Sequence, residues 1–242
     1  MRMNKWILSV LAVLFAMPMM AQLGEERHNW AVGVNAGMNM STVSFEPSIK
    51  QKSHSGMAFG VTARYMSEKY FKMMCGIQAE INYSQRGWKE NIEDGSGNTY
   101  SRTMNYVEIP LLAHLAFGKD ALDKGVKFFV NAGPQIGFFL SEKEKMSADW
   151  DISNRPNGIV QQYGKTVENK FDYGILGGLG LELSTKAGHF LLEGRYYYGL
   201  SDFWKSTKKD EFGRSGHSYM GVRLTYLFDI TKEKKEAIAS FF

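Results

Sequence analysis

One cysteine, Cys75, occurs in 242 residues, so no internal disulfide can form and no metal cluster built on cysteine is available. Charge excess is nearly absent too. Against 29 lysines and arginines stand 25 aspartates and glutamates, a formal net charge of +4, which does not mark a nucleic-acid binder. Beyond residue 20 no apolar run approaches the roughly 20 residues a membrane-crossing helix needs. No cluster of His, Asp and Glu has zinc spacing, and the acidic run at 90–94 reads as solvated loop charge rather than a calcium site. The stretch from Gly174 to Gly180 is glycine-rich, yet it lacks the Walker lysine pattern and no helix follows, which argues against a nucleotide site. No cofactor is expected.

What the sequence does have is alternation. Trp30, Val32, Val34, Ala36, Met38 and Met40 place every even residue on an apolar face, while Ala31, Gly33, Asn35, Gly37 and Asn39 form a small, polar one. Eight such segments recur, predicting strands at 29–40, 56–66, 73–84, 104–117, 126–140, 171–183, 189–200 and 218–228. Each reaches the roughly 9 to 11 residues of a membrane-spanning strand. The connections 41–55, 85–103, 141–170 and 201–217 are long and polar, whereas 67–72, 118–125 and 184–188 are short. Backbone groups inside lipid are satisfied only by helices or closed barrels, so the pattern predicts an all-β fold, an eight-stranded antiparallel up-and-down transmembrane barrel. Long loops then belong outside the cell, and both termini in the periplasm. The mean hydropathy of −0.30 agrees, since half of each strand faces water or the lumen.

The start of the chain reads as an export signal. Arg2 and Lys5 precede an apolar run from Ile7 to Met20, and Ala21 before Gln22 offers a cleavage point. The run is short for a bilayer span, although an uncleaved anchor is the competing reading. No cysteine follows it, which argues against a lipoprotein. Residues 1–21 are thus expected to be a signal peptide, 22–228 the barrel, and 229–242 a short charged periplasmic tail. Without 1–21 the net charge is +2.

The two faces of the strands carry different chemistry. Outward aromatics fall into two girdles, Trp30, Tyr65, Phe117, Phe128, Phe190, Tyr226 and Phe228 at the short-turn end, and Tyr83, Phe138, Phe171, Tyr173, Tyr196 and Tyr198 at the long-loop end. The opposite parity carries Arg64, Glu80, Glu108, His114, Lys127, Asp172, Glu182, Glu193, Arg195 and Arg223. Charges of both signs argue against a soluble lipocalin-type barrel with an apolar calyx. They predict a paired network that fills the lumen, because an eight-stranded barrel is just wide enough for its own side chains. A narrow gated ion path is the alternative. Gly174, Gly178 and Gly180 face inward and make room for long neighbours. Pro110 removes a ladder donor and predicts a bulge or local distortion, with Glu108 aimed at Arg64 or Arg223.

Catalysis finds little support. His217 and Ser218 are placed at the outer rim, and His189 at the periplasmic rim, where the sequence supplies no evident oriented acid; both histidines read as solvated turn residues.

A family resemblance enters at the fourth strand. Tyr106, Val107, Glu108, Ile109, Pro110 and Leu111, followed by Leu112, resemble the signature of the PorT-like outer-membrane β-barrel proteins of the Bacteroidetes type. Further matches run from Gly33 to Asn39, Ile81 to Gly87, Asn131 to Pro134, and Phe171 to Gly174 leading to Glu182. The resemblance implies an outer-membrane barrel of a Gram-negative envelope, and through the family's namesake an accessory role in type IX secretion. The expected function is that of a non-enzymatic barrel with a filled lumen, whose long loops, with Trp150 and Tyr163 exposed, serve recognition, envelope integrity or secretion; a narrow channel or a lipid-modifying enzyme is the other reading. Expected partners are outer-membrane lipid, the barrel-assembly machinery, and other envelope or secretion proteins, with the barrel itself monomeric. The tail at 229–242 is either a loose extension or, through Lys232, Lys234 and Lys235, a contact to a periplasmic partner.

Overall fold

A computed structural model describes residues 25–70, 73–118, 125–150 and 159–231, with the backbone alone at 25–27. The expected signal peptide and residues 232–242 of the expected tail lie outside the described residues. The strands are β1 (Glu25–Glu46), β2 (Gln51–Lys52), β3 (His54–Tyr70), β4 (Met73–Glu90), β5 (Tyr100–Gly118), β6 (Gly125–Met146), β7 (Phe171–Thr185), β8 (Gly188–Gly199) and β9 (Arg214–Asp229). Every long strand pairs antiparallel with its neighbours in the order β4, β3, β1, β9, β8, β7, β6, β5, and a β4–β5 ladder closes the ring. The barrel therefore has eight staves and no free edge, which satisfies the backbone without solvent. Two-residue β2 adds only a flap on the far end of β4.

Parity sorts the residues as the alternation predicts. Val34, Met38, Val61, Ile77, Ile81, Leu179, Val222 and Leu224 are exposed on the outer wall. The aromatic residues stack across strands at two heights of that wall. Trp30 meets Tyr65 (centroids 4.7 Å), Phe117 meets Phe128 (6.4 Å) and Phe190 meets Tyr226 (5.0 Å) near the turn end, with Phe228 beside them on β9. Near the loop end Tyr83 meets Phe59 (5.2 Å), Phe138 meets Phe171 (5.5 Å), and Phe171 meets Tyr173 (6.2 Å), while Tyr196 and Tyr198 stand exposed on β8.

The strands run well past the expected boundaries, chiefly at the loop end; at the turn end β1 begins four residues early at Glu25 and β3 continues through 67–70, which were expected in a short turn. Residues 41–46, 85–90, 100–103, 141–146 and 214–217, expected in loops, continue the ladders. The cause is an inversion of polarity. On β1 the inner face changes from Asn35, Asn39 and Ser41 to Val43 and Phe45, while the outer face changes from Met38 and Met40 to Thr42, Ser44 and Glu46. Above that level the barrel is built like a soluble one, with oil inside and polar groups out.

The inner face of these extensions and the loops folded over them make a second core of Val43, Phe45, Trp88, Tyr100, Met104, Phe203, Trp204 and Phe212. Trp150 and Tyr163, expected to be exposed, are instead half-buried against Tyr100 (centroids 5.8 and 4.8 Å). The described parts of the long connections thus contribute to a packed cap.

Pro110 distorts the wall without shifting it. The β4–β5 ladder skips from Ala79↔Leu111 to Asn82↔Glu108 in unchanged register, and the β5–β6 ladder skips from Ala113↔Ala132 to Pro110↔Gln135 opposite Pro134. Each proline lacks a donor where its ladder breaks. The register shift on β5 lies elsewhere, between Asn105 and Tyr106.

Candidate functional site

The inward residues of the eight staves form three layers of charge, with the core of the cap above them. At the turn end, Glu182 on β7 is the hub. Its Oε2 accepts from Arg64 Nη1 at 2.6 Å, and its Oε1 lies 3.5 Å from Lys127 Nζ, which also donates to Ser184 Oγ at 2.6 Å. His189 lies between two carboxylates, with Nδ1 2.8 Å from Glu182 Oε1 and Nε2 3.1 Å from Asp229 Oδ2. Ser184 Oγ is 2.9 Å from the same Nδ1.

In the middle layer Arg195 on β8 donates both terminal nitrogens to Glu80 on β4 (2.7 and 2.6 Å) and one also to Glu193 (2.7 Å). Gln78 and Asn82 complete Glu80 at 2.7 and 2.8 Å, and Asn131, itself bonded to His114, reaches Glu193 at 3.0 Å. Arg223 is the cross-strand neighbour of Glu193 and is buried, yet its Nε and Nη1 meet no protein acceptor. Asn39 Oδ1, Gln78 Oε1 and Gln135 Nε2 are likewise buried without partners, the polar surroundings in which enclosed water binds.

The third layer is centred on Arg86. Its Nε donates to Glu108 at 2.6 Å and its Nη1 to Asp172, while Tyr106, Tyr197 and Tyr219 surround the guanidinium with ring centroids at 4.8, 4.6 and 5.2 Å. Tyr197 donates to Asp172 (2.8 Å) and Tyr219 to Glu108 (3.2 Å). Above it Arg102 donates to Glu142, forms an ion pair with Glu144 at 3.1 Å and lies over Trp88 and Trp204 (5.5 and 5.7 Å). A 3-10 turn at Val160–Gln162 inserts Gln162 into this core, where it accepts from Trp88 Nε1 at 3.1 Å and donates to Glu90 at 3.1 Å. Burial and a bond to Glu144 raise the Tyr100 hydroxyl's pKa, so it stays protonated as a donor.

All nine charges expected in the lumen are buried there. Arg86 and Arg102 were not expected, because they lie in residues read as loop, although the even parity of β4 and β5 continues straight into them. Glu108, expected to aim at Arg64 or Arg223, pairs with Arg86; Arg64 belongs to Glu182. Of the motif Tyr106, Val107, Glu108, Ile109, Pro110 and Leu111, the even members face the lumen and the odd ones the outer wall. The histidines correct the expectation most. His217 is buried, stacked on Phe203 (4.8 Å) and 3.2 Å from the Tyr106 hydroxyl, and His189 is buried with the oriented acids, Asp229 and Glu182, that the sequence did not reveal. Neither is a solvated turn residue.

The inward glycines give a direct test. A Cβ at Gly178 would stand 2.2 Å from Glu193 Oε1, whereas one at Gly177, on the outer face, meets nothing within 4 Å. Gly178→Val should therefore displace Glu193 from Arg195 and lower stability by about 1–3 kcal/mol, and Gly177→Ala should be neutral. The heat-modifiable fraction on a gel after refolding reads both, and equal yields would show that the lumen has slack.

The model of a family described as outer membrane protein beta-barrel domain matches residues 20–205. Among solved structures, the chain is similar to the outer membrane protein OprG from Pseudomonas aeruginosa, at 11% identity and TM-score 0.48, over 86% of this chain and 99% of that one. It is similar also to Neisserial surface protein A, at 15% and 0.37 over 81% and 96%, and to the attachment invasion locus protein Ail of Yersinia pestis, at 15% and 0.35 over 84% and 100%. These likenesses concern the fold. No curated protein matches the chain.

Proposed function

The chain belongs to the family of outer membrane protein β-barrel domains, and from that premise we propose that it is a non-enzymatic, monomeric barrel whose lumen is closed and whose folded cap faces outside the cell. The observation that carries this reading is the succession along the barrel of three buried charge layers and an aromatic core, centred on Glu182, Arg195, Arg86 and Trp88. No solvated ion passes without breaking all of them. The short turns, the start of β1 and the end of β9 share one end, so we assign the loop end to the exterior and the termini to the periplasm. Outer-membrane lipid contacts the apolar wall, and the barrel-assembly machinery inserts it. The cap then serves recognition, envelope integrity or, as the PorT-like resemblance suggests, a secretion assembly.

Ser184, His189 and Asp229 have the composition of a hydrolase triad, but their geometry supports structure rather than chemistry. Both ring nitrogens face carboxylates, and Lys127 occupies the Ser184 oxygen, so no free base stands beside an accessible nucleophile.

In planar bilayers the purified barrel should give no stable conductance step; a lasting one would overturn the closed lumen in favour of the narrow channel. On intact cells, external protease should cut within 147–170 and leave the 67–72 turn whole. Cleavage at that turn alone would reverse the orientation.

A further inference from the structure

Just beyond the outer girdle, one side of the barrel presents a row of lysines. Lys52 is the cross-strand partner of Lys89, Lys89 of Ser101, and Ser101 of Lys145. One step nearer the membrane Thr103 partners Lys143. Cross-strand partners share a face and strands stand about 4.8 Å apart, so the row spans roughly 14 Å of the outer surface. All four lysines are exposed. Lys89, Lys143 and Lys145 have no ion pair among the described residues, and the acids of the neighbouring segment are turned away: Glu142 and Glu144 face inward to Arg102, and Glu90 faces inward to Gln162. Glu93, already paired with Lys50 at 3.0 Å, lies at one edge, within the field of Lys52. His54, bonded to Thr103 at 3.0 Å, has its pKa lowered by burial and then by Lys145 and Lys89, so the patch field is positive where a titratable group samples it.

Like charges placed directly across two strands destabilise a sheet unless something neutralises them. The location says what can. On β6 the outward face is apolar through Leu140, so Lys143 lies three residues and Lys145 five residues beyond the last lipid-facing side chain. With a strand tilt of about 40° those are heights of roughly 8 and 13 Å. A glycerophospholipid headgroup layer is only about 5–8 Å thick, so Lys145 and its row rise above it. An anionic partner for that row must stand above the glycerophospholipid headgroup level, as a phosphate carried on a saccharide does.

We infer that the Lys52, Lys89, Lys143 and Lys145 face binds the phosphorylated saccharide headgroup of an outer-leaflet glycolipid, with the Ser101 and Thr103 hydroxyls between the lysines. Cations near a charged membrane surface act additively, and this face fixes one side of the barrel to its anionic surroundings. It rests on the exterior assignment of the loop end. In a symmetric disc, retention is read without reference to orientation in the cell, so failure of one idea leaves the other testable.

The full-length barrel in zwitterionic phosphatidylcholine discs, doped separately with bisphosphorylated lipid A, its dephosphorylated form or phosphatidylglycerol, is assayed for retained lipid by native mass spectrometry. Lipid A should be retained and its dephosphorylated form lost. The exposed triple substitution Lys89→Gln, Lys143→Gln and Lys145→Gln should weaken retention on the order of a hundredfold while keeping the heat-modifiable mobility of the folded barrel. Full retention by the triple variant, equal retention of the dephosphorylated lipid, or equal retention of phosphatidylglycerol would each overturn the assignment. If the triple variant misfolds, high salt on the wild type supplies the same test: unaffected retention overturns it.

Discussion

Replacing Arg86 by methionine should cost the barrel about 3–5 kcal/mol, the range found when one member of a buried ion pair is removed and its partners stay charged. Two carboxylates, Glu108 and Asp172, would be left without their cation in a site closed by Tyr106, Tyr197 and Tyr219. Methionine keeps most of the volume, so the loss reports charge and not a cavity. The comparison is Lys127→Met, whose partner Glu182 retains Arg64 at 2.6 Å and which should cost much less. Adding Glu108→Gln and Asp172→Asn to the Arg86 variant should restore most of the stability, because an apolar or neutral replacement of the whole set avoids stranded charge. Urea unfolding of the barrel refolded in lipid vesicles, followed by gel mobility, measures all three. A loss below about 1 kcal/mol for Arg86→Met would mean that water reaches the layer and screens it.

The arrangement around Arg86 also marks where a sequence stops being readable. Alternation identifies faces, and it identified them for all eight staves because lipid on one side and charge on the other make the contrast large. It does not identify partners across a lumen. Arg64 on β3 pairs with Glu182 on β7, and Arg195 on β8 with Glu80 on β4; these strands are not neighbours in the sheet, so no ladder rule links them. Arg86 was lost for a further reason. Oil-out alternation marks the strands only within the lipid-facing zone, and at Ser84 to Trp88 the sign reverses: the inner face becomes aromatic and the outer face acquires Gln85 and Lys89. A period-2 pattern persists through the reversal on β1, β4 and β5, so counting period without fixing which parity is apolar would have extended these to their observed ends; on β6 the extra residue at the Asn105/Tyr106 register shift moves the inward set from odd positions to Glu142 and Glu144 and breaks the count. The acids of His189 are hidden because they come from the two flanking staves, Glu182 on β7 and Asp229 at the last position of β9, and only the register of the folded ladders sets them beside it.

The reversal divides the molecule into two parts with separate sources of stability. Below it the barrel is held by lipid on the outside and paired charge within; above it by an apolar core in water. Trp88→Ala tests that division. The indole is fully buried, stacked on Phe203 (5.8 Å), edge-on to Phe45 (5.0 Å) and Trp204 (5.9 Å), and it anchors the 159–163 segment through Gln162. Truncation of a buried tryptophan costs about 3–5 kcal/mol, most of what a core of this size supplies. The loss should fall on the cap alone, since Trp88 makes none of the contacts of the Glu182 and Arg195 layers. Protease cleavage at 147–170 should accelerate at least tenfold, with the near-ultraviolet aromatic signal reduced, while the barrel still shifts on heating and still blocks conductance. Retained blockage with a melted cap would show that the charge layers close the lumen by themselves. Conductance appearing with Trp88→Ala would instead make the aromatic core the seal, and would reassign the lumen charges to a path that the cap controls.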